Sequence, residues 1–210
     1  SAEDADTLIE LLERVVESGK QLAIMAHYNH WKELDTEVAQ AAIRRLRGTG
    51  AMIRAQGPLI AHINDDPAVW ARLWQKEVEL GIVPYYMFVE RDTGARNYFE
   101  VPLVRAWEIY REAIQQVSGL ARTVRGPSMS ASPGKVEVQG VAEIAGEKVF
   151  VLRFIQGRNP DWVQRPFFAK YDEKATWLNH LKPAFGEEKW FWEDEYAAIR
   201  EAKLQAAAAA

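Results

Sequence analysis

The chain has 210 residues, of which 48% are hydrophobic and 27% charged, and it contains no cysteine. This composition is typical of a soluble globular protein of one domain, or of one domain with a small appendage. The lack of cysteine excludes disulfides and thiolate metal ligands within the chain. The formal net charge of -4 is unfavourable for a nucleic-acid-binding protein. No apolar run is long enough for a membrane span and the acidic N-terminus is unlike a signal peptide, so we expect a cytoplasmic location and no membrane partner.

Helices and strands are predicted to alternate through the first two thirds of the chain. Apolar stripes between capping residues and glycines predict helices, with Asp6 and Asp66 as N-caps and Gly19 and Gly81 as stops, over residues 7–18, 36–47, 67–80 and 102–117. Short apolar runs predict strands over residues 22–25, 52–56 and 82–89. Such alternation favours right-handed crossovers and a parallel sheet, which places the chain in the α/β class.

The last third has a different character. Residues 126–134 are rich in Gly, Pro and Ser, which predicts a loop. Residues 136–144 and 148–154 are predicted to form a β-hairpin, followed by a loop over 159–168 and by short helices over 175–181 and 194–204. The aromatic residues of this region are surrounded by acidic ones, which oppose phosphate. We therefore expect them to pack against the rest of a barrel formed by the alternating helices and strands, or against a second subunit.

Polar residues follow two of the predicted strands. His27 and Gln56 lie at strand ends, where parallel sheets commonly carry chemistry. His27 and His30 are three residues apart, but on a strand or loop this spacing does not aim both rings at one ion, so we expect no metal site. The simplest interpretation of these positions is structural, and it applies equally to Lys135 as a solvated lysine and to residues 90–92 as a charged turn.

Several segments, taken together in order and spacing, resemble the C-terminal half of the lysine 2,3-aminomutases. The resemblance covers residues 6–137, and its segments are His27-Tyr28-Asn29-His30, Asn64-Asp65-Asp66-Pro67, Tyr85-Tyr86-Met87-Phe88, Ser118-Gly119-Leu120-Ala121 and Ser132-Pro133-Gly134-Lys135. Members of that family use a radical made from S-adenosylmethionine at a [4Fe-4S] cluster, and they hold pyridoxal phosphate on a lysine. Their reaction moves an α-amino group from C2 to C3 of an amino acid.

The resemblance implies the second half of a parallel-stranded, partial (β/α) TIM-like barrel. It divides the chain into a barrel part at residues 1–127, a pyridoxal-phosphate lysine loop with a β-hairpin at 128–154 and an aromatic-rich extension at 155–205. The chain has no cysteine to ligate a cluster, so catalysis would depend on the missing N-terminal half of the barrel. Since a half barrel exposes strand edges and an apolar face, we expect a homo-oligomer unless the barrel is completed.

The resemblance also implies the site residues. Lys135 would be the catalytic residue that carries pyridoxal phosphate, although only Gly134 remains of the glycine run that precedes this lysine in the family. The other cofactor-binding positions implied by the resemblance, for pyridoxal phosphate or S-adenosylmethionine, are His27, Asn29, Gln56 and Phe88.

Two positions differ from the lysine-specific pattern. Arg91 and Ser128 stand where those enzymes have the aspartates that bind the substrate's side-chain ammonium. A guanidinium repels an ammonium and matches a carboxylate, which predicts an acidic or neutral amino acid substrate, such as glutamate, in place of lysine. A one-residue bulge would instead bring Glu90 or Asp92 into the pocket.

Two other hypotheses remain open. In one, the chain is a non-catalytic barrel remnant that binds a ligand or a protein partner. In the other, it is an unrelated α/β binding domain whose matches arose by chance. Pyridoxal phosphate bound at Lys135 would separate the enzyme from both.

Overall fold

The computed structural model describes residues 2–91 and 95–208, apart from the side chains of residues 2–4 and 96. The helices are α1 (Ala2–Glu17), α2 (Glu37–Gly48), α3 (Pro67–Glu79), α4 (Arg96–Phe99), α5 (Leu103–Gln115) and α6 (Glu193–Ala208). The strands are β1 (Ala23–His27), β2 (Met52–Leu59), β3 (Val83–Val89), β4 (Arg125–Ala131), β5 (Gly134–Ile144), β6 (Glu147–Gly157) and β7 (Pro166–Lys170). The strands are hydrogen-bonded in chain order. This confirms the α/β class, whereas the partial barrel stays a prediction.

The chain divides into two compact units. The first unit consists of Ser1–Met87 and Ile109–Arg125, and the second consists of Phe88–Glu108 and Gly126–Ala210. None of the described helices has the length and apolar character needed to cross a membrane.

The first unit has the predicted alternation of helices and strands. β1 and β2 are parallel, with Ala23 paired with Met52 at one end and His27 with Gln56 at the other. The face of β2 opposite Gln56 is buried and carries Ile53 and Ala55. The apolar residues of α3 are buried as well: Trp70, Leu73 and Trp74. One face of these strands therefore packs in the core of the unit, and the other carries the polar strand ends.

Local capping signals account for most of the helix boundaries in this unit. Asp66 accepts a hydrogen bond from the backbone N–H of Ala68, and Pro67 is the first helical residue, as predicted. Gly19 and Gly81 have positive φ angles of 83° and 72°, which suits a helix stop. The prediction that Asp6 caps the first helix is wrong. The helix already begins at Ala2, so Asp6 lies inside it.

The second unit has an antiparallel sheet. β4, β5, β6 and β7 pair antiparallel in chain order. The predicted hairpin is confirmed as β5 and β6, joined by Ala145 and Gly146. Both residues have positive φ angles, 52° and 80°, as a two-residue type I′ turn requires.

Three predictions for this region are wrong. Residues 126–134 are mostly strand β4 and the start of β5, not a loop, and β7 lies partly within the predicted 159–168 loop. Pairing with β5 and β6 stabilises these strands although their Gly, Pro and Ser content disfavours them locally. The predicted helix over 175–181 is a single 3-10 turn, Leu178–His180.

The aromatic extension supplies the core of the second unit. Trp162 and Trp192 are buried against residues of β5, β6 and β7, among them Val136, Phe150, Phe154 and Phe167. The Phe154 ring lies near four other aromatic rings, those of Trp162, Phe167, Phe191 and Trp192. These aromatics thus pack within this unit, whereas packing against a barrel or a second subunit stays a prediction.

Candidate functional site

Lys135 lies near the start of β5, paired with Ser130 of β4 and Gln156 of β6. The prediction that a loop over residues 126–134 precedes it is wrong, because only Ser132 and Pro133 separate β4 from β5. A Cβ on the preceding Gly134 would lie 2.2 Å from the carbonyl oxygen of Gln156. A glycine is therefore needed for β5 to approach β6 this closely beside Lys135.

A cavity of about 410 Å³ opens beside Lys135. Its lining includes three basic side chains, those of Arg91, Lys135 and Arg158, and among the described residues no acidic one. Ser130 and Ser132 add hydroxyl groups. The volume is within the range of small-molecule sites. The cavity, called here the Lys135 cavity, is thus suited to an anionic small molecule.

Arg158 was not singled out from the sequence. Its backbone N–H donates to the Pro133 carbonyl at 2.9 Å, and its Nε donates to the Ser132 carbonyl at 3.2 Å. These bonds tie the end of β6 to the turn between β4 and β5. Only the hairpin register, which brings Gly157 opposite Gly134, would have revealed this position.

The strand face that bears Lys135 is polar. Side chains alternate along a strand, so Ser130 and Lys135 share this face with Ser128 and with an ion pair between Glu137 and Arg153. Glu137 is buried, and its Oε2 accepts a hydrogen bond from Arg153 Nε at 2.6 Å. Its Oε1 accepts the backbone N–H of Gly126 at 3.1 Å. This pair could not be predicted from the sequence, because strand pairing alone brings the two residues together.

Ser128, a predicted substrate-binding residue, is deeper than the cavity. Its side chain is 1% exposed, and its Oγ has no hydrogen-bond partner among the described residues. It does not line the Lys135 cavity. The structure thus brings Arg91 and Lys135 together and leaves Ser128 farther along the same strand face as Lys135.

The remaining predicted residues of the second unit lie at the end of β3. Phe88 is half-buried and faces away from its neighbour Val89, which packs in the core of this unit. Glu90, one of the alternative carboxylates, is half-buried and does not line the Lys135 cavity. Asp92, the other alternative, lies outside the described residues.

In the first unit, His27 and Gln56 are neighbours. They are register partners at the ends of the parallel strands β1 and β2, so their side chains leave the same face. The backbone N–H of Tyr28 donates to the Gln56 carbonyl at 3.1 Å, which fixes this end of the pair. The structure therefore places these two candidate residues next to each other at the strand ends.

His30 has a structural role in the first unit. Its Nδ1 accepts the backbone N–H of Lys32 at 3.1 Å, which caps the 3-10 helix Trp31–Leu34. Partial burial, followed by the positive charges of Lys32 and Arg72, lowers the pKa of His30 and favours the neutral ring that accepts this bond. In the described parts of the chain, no group of three His, Cys, Asp or Glu residues could hold a metal ion.

Asn29 belongs to the same turn. Its backbone N–H donates to Glu33 Oε1 at 2.7 Å, and its carbonyl accepts a bond from the buried Asn64 at 2.8 Å. Its side-chain Oδ1 is buried without a partner among the described residues. The Oδ1 of Asn29 is therefore a buried acceptor that no described residue uses.

A cationic cluster lies on β3 in the first unit. The Tyr85 ring is approached by the guanidinium groups of Arg54, at 4.9 Å, and Arg125, at 4.5 Å. Burial alone would raise the pKa of Tyr85, but a hydrogen bond with Tyr86 and the charges of Arg125 and Arg54 lower it overall. This cluster was not predicted, because its members are far apart in the sequence.

The chain is similar in sequence to several proteins named as L-lysine 2,3-aminomutases. No family model matches the chain. A protein of Aquifex aeolicus (strain VF5) named "Putative L-lysine 2,3-aminomutase" is 30% identical over 187 residues, which are 89% of this chain and 48% of that protein. The L-lysine 2,3-aminomutase of Escherichia coli (strain K12) is 31% identical over 121 residues, 55% of this chain and 35% of that protein. That of Methanococcus maripaludis is 28% identical over 116 residues, 55% of this chain and 26% of that protein.

The chain therefore spans about half the length of the first relative and less of the other two. A match of 187 residues must continue beyond residue 137, so the similarity reaches into the last third of the chain. The resemblance inferred from the sequence motifs is confirmed. By this similarity, most of the chain resembles part of the lysine 2,3-aminomutases.

Proposed function

We propose that this chain forms the cofactor-lysine part of a radical aminomutase, which moves an α-amino group from C2 to C3 of an amino acid other than lysine. The observation that carries the proposal is the Lys135 cavity, in which one lysine lies together with Arg91 and Arg158. The curated relatives named as aminomutases support the reaction class.

Pyridoxal phosphate suits the donors of this cavity. Its aldehyde needs a lysine amine, which Lys135 offers, and its phosphate needs cations and hydrogen-bond donors. Arg158 and the hydroxyls of Ser130 and Ser132 are donors of this kind in the lining. The hydrogen bond from Arg158 Nε to the Ser132 carbonyl orients its guanidinium beside the β4–β5 turn, which ends next to the lysine.

When bound, pyridoxal phosphate would supply a conjugated system that stabilises the radical while the nitrogen migrates, and S-adenosylmethionine with a [4Fe-4S] cluster would supply the radical. The chain has no cysteine to ligate the cluster, so we propose that a further polypeptide segment, corresponding to the N-terminal barrel half, provides it. His27, Asn29 and Gln56 are the residues of the first unit that we assign to cofactor binding.

Arg91 is proposed to select the substrate. Its guanidinium lies in the lining of the Lys135 cavity, where a lysine substrate would need a negative charge. A positive charge disfavours an ammonium and favours a carboxylate, so the substrate is an acidic or neutral amino acid.

Binding of pyridoxal phosphate to Lys135 can be tested by absorbance spectroscopy. Pyridoxal phosphate added to this chain should produce a band at roughly 400–430 nm that survives dialysis, because a lysine-bound cofactor absorbs there. Lys135→Ala should abolish the band, and Lys182→Ala, at an exposed lysine outside the Lys135 cavity, should retain it. Arg158→Met should weaken binding about tenfold, which is about 1.4 kcal/mol. Equal binding by Lys135→Ala, or none by the unaltered chain, would contradict the proposal and favour a non-catalytic module.

The test of Arg91 uses the same band. Amino acids that displace Lys135 from the cofactor should change the spectrum, and Arg91→Asp should move the preference toward L-lysine. An unchanged ranking of L-lysine, L-glutamate and neutral amino acids would remove the basis for excluding lysine.

A further inference from the structure

A second cavity adjoins the Lys135 cavity within the second unit. Its volume is about 450 Å³, and the two cavities share Arg91, Ala131 and Ser132 in their linings. Most of its other lining residues are large and apolar: Trp177, Leu178, Leu181, Trp190 and Trp192. We call this space the aromatic chamber.

The walls of the aromatic chamber are held by the core. Trp192 is 6% exposed, and its ring lies 5.9 Å from that of Phe154 and 6.3 Å from that of Trp162. Trp190 stacks on Trp192 at 6.2 Å with 8° between the ring planes. Leu178 and Leu181 are buried as well. The chamber is thus preformed, which lowers the entropic cost of binding a ligand.

The chemistry of the chamber differs from that of the Lys135 cavity. Its charged lining residues are one base, Arg91, and one acid, Glu193, and the rest of the lining is polar or apolar. The Nε1 of Trp192 is buried without a partner among the described residues, so one donor is available for an acceptor. A molecule that occupies both spaces would therefore be anionic at one end and large and apolar at the other.

We propose that the aromatic chamber is the side-chain pocket of the substrate, and that the substrate is an α-amino acid with an aromatic or large apolar side chain. This inference rests on the proposed function, because it requires the reacting amino group to lie at Lys135. The side chain extends past Ala131 between the tryptophan and leucine walls.

This assignment chooses between the two substrate classes left by Arg91. An acidic side chain would lose water in the chamber and gain mainly apolar contacts, which is unfavourable for a charge. An aromatic side chain gains burial and ring contacts with Trp177, Trp190 and Trp192. Burial of a phenylalanine-sized side chain contributes about 1.5–3 kcal/mol, so L-phenylalanine should bind at least about tenfold more tightly than L-alanine.

The test is nuclear magnetic resonance of the tryptophan indole N–H groups in protein labelled with ¹⁵N. The chain has 8 tryptophans, and Trp192→Phe identifies the Trp192 signal by its loss. L-Phenylalanine should shift the signals of Trp177, Trp190 and Trp192 and leave those of Trp70 and Trp74 in the first unit unchanged. L-Alanine, which has the same charged groups, should need at least about tenfold higher concentration for an equal shift.

A pair of variants makes the test specific. Asn179 is exposed and lines the chamber, so Asn179→Trp fills the space without disturbing the buried core. It should weaken L-phenylalanine at least about tenfold while the pyridoxal phosphate band remains. Lys174→Trp adds the same bulk at an exposed residue outside the chamber lining and should leave binding unchanged.

The outcomes separate this inference from the proposed function. Equal shifts with L-phenylalanine and L-alanine, or unaltered binding by Asn179→Trp, overturn the chamber assignment even when Lys135 holds the cofactor. Shifts of the chamber signals by L-phenylalanine in a protein that forms no cofactor band support the chamber as an apolar-ligand site and contradict only the proposed function.

Discussion

The two units differ in how far the faces of their strands are buried. In the first unit, Met25 and Met52 lie on the strand face that also carries His27, and they are 47% and 48% exposed. In the second unit, Phe150 and Phe154 are fully buried beneath the tryptophans of the extension. The second unit thus completes a core from its own residues, and the first leaves one face of β1 and β2 exposed, with both methionines and the polar strand ends on it.

The difference bears on where a site can be organised. Side chains hold a ligand well when the elements that carry them are supported by packing on the other side. Lys135 lies on a strand whose next residue, Val136, is fully buried in the aromatic core. The second unit therefore provides the better support for a site. Four stability measurements test this comparison of the two units.

The largest expected effect is from Phe154→Ala in the second unit. Its ring lies near four other aromatic rings, so truncation should lower the free energy of unfolding by about 3–5 kcal/mol. Met25→Ala, at an exposed position of the first unit, should change it by less than about 0.5 kcal/mol. Urea unfolding followed by tryptophan fluorescence measures both, and similar losses for the two variants would contradict the contrast between the units.

The next effect concerns a buried carboxyl in each unit. Glu77 in α3 is 3% exposed, and burial raises its pKa from 4.5 to about 8. The folded protein therefore keeps a proton that the unfolded chain has lost, so this stability is complete below pH 4.5 and is lost as pH rises toward 8. The loss between pH 5 and pH 7 should be about 2 to 3 kcal/mol.

Glu77→Gln should remove this pH dependence and stabilise the protein at pH 7, as measured by urea midpoints at pH 5, 7 and 9. The matched variant in the second unit is Glu137→Gln, which breaks the ion pair with Arg153 and should lower stability at pH 7. If both variants changed stability in the same direction, the assignment of one unpaired and one paired buried carboxyl would be wrong.

A smaller effect is expected from Asn64→Ala in the first unit. The Asn64 side chain is buried, donates to the carbonyls of Asn29 and Pro58, and accepts the backbone N–H of Ile60. Its removal leaves backbone groups without partners and should lower the free energy of unfolding by about 2 kcal/mol. Asp65→Ala, at an exposed neighbour, is the control, and equal effects of the two in thermal unfolding would refute the role of these bonds.

The smallest effect is at a helix cap. Thr36 accepts the backbone N–H of Ala39 at 3.2 Å at the start of α2. Thr36→Ala should lower stability by about 1 kcal/mol, whereas Thr36→Ser keeps the hydroxyl and should lose less. Circular dichroism during thermal unfolding measures both, and a loss as large as that of Phe154→Ala would mean that the first unit depends on local capping more than on its core.

Much of the first unit could be predicted from the sequence. Asp66 with Pro67 starts α3, and Gly81 follows its end, because capping acts between residues close in the chain. The hairpin of β5 and β6 was predictable for the same reason, since Ala145 and Gly146 form its turn. By contrast, β4 and β7 have no clear strand pattern and form through pairing with partners elsewhere in the chain.

The candidate site, like the fold, was predictable from the sequence only in part. Residue types and their spacing in the chain determined the family resemblance, and with it the choice of Lys135 and Arg91, because such motifs are properties of the sequence itself. Tertiary structure alone decided that these two side chains line one cavity with Arg158, and that Trp177, Trp190 and Trp192 enclose a chamber beside it. The physical reason is that strand register and core packing join residues far apart in the chain, and local propensities do not encode which distant residues meet.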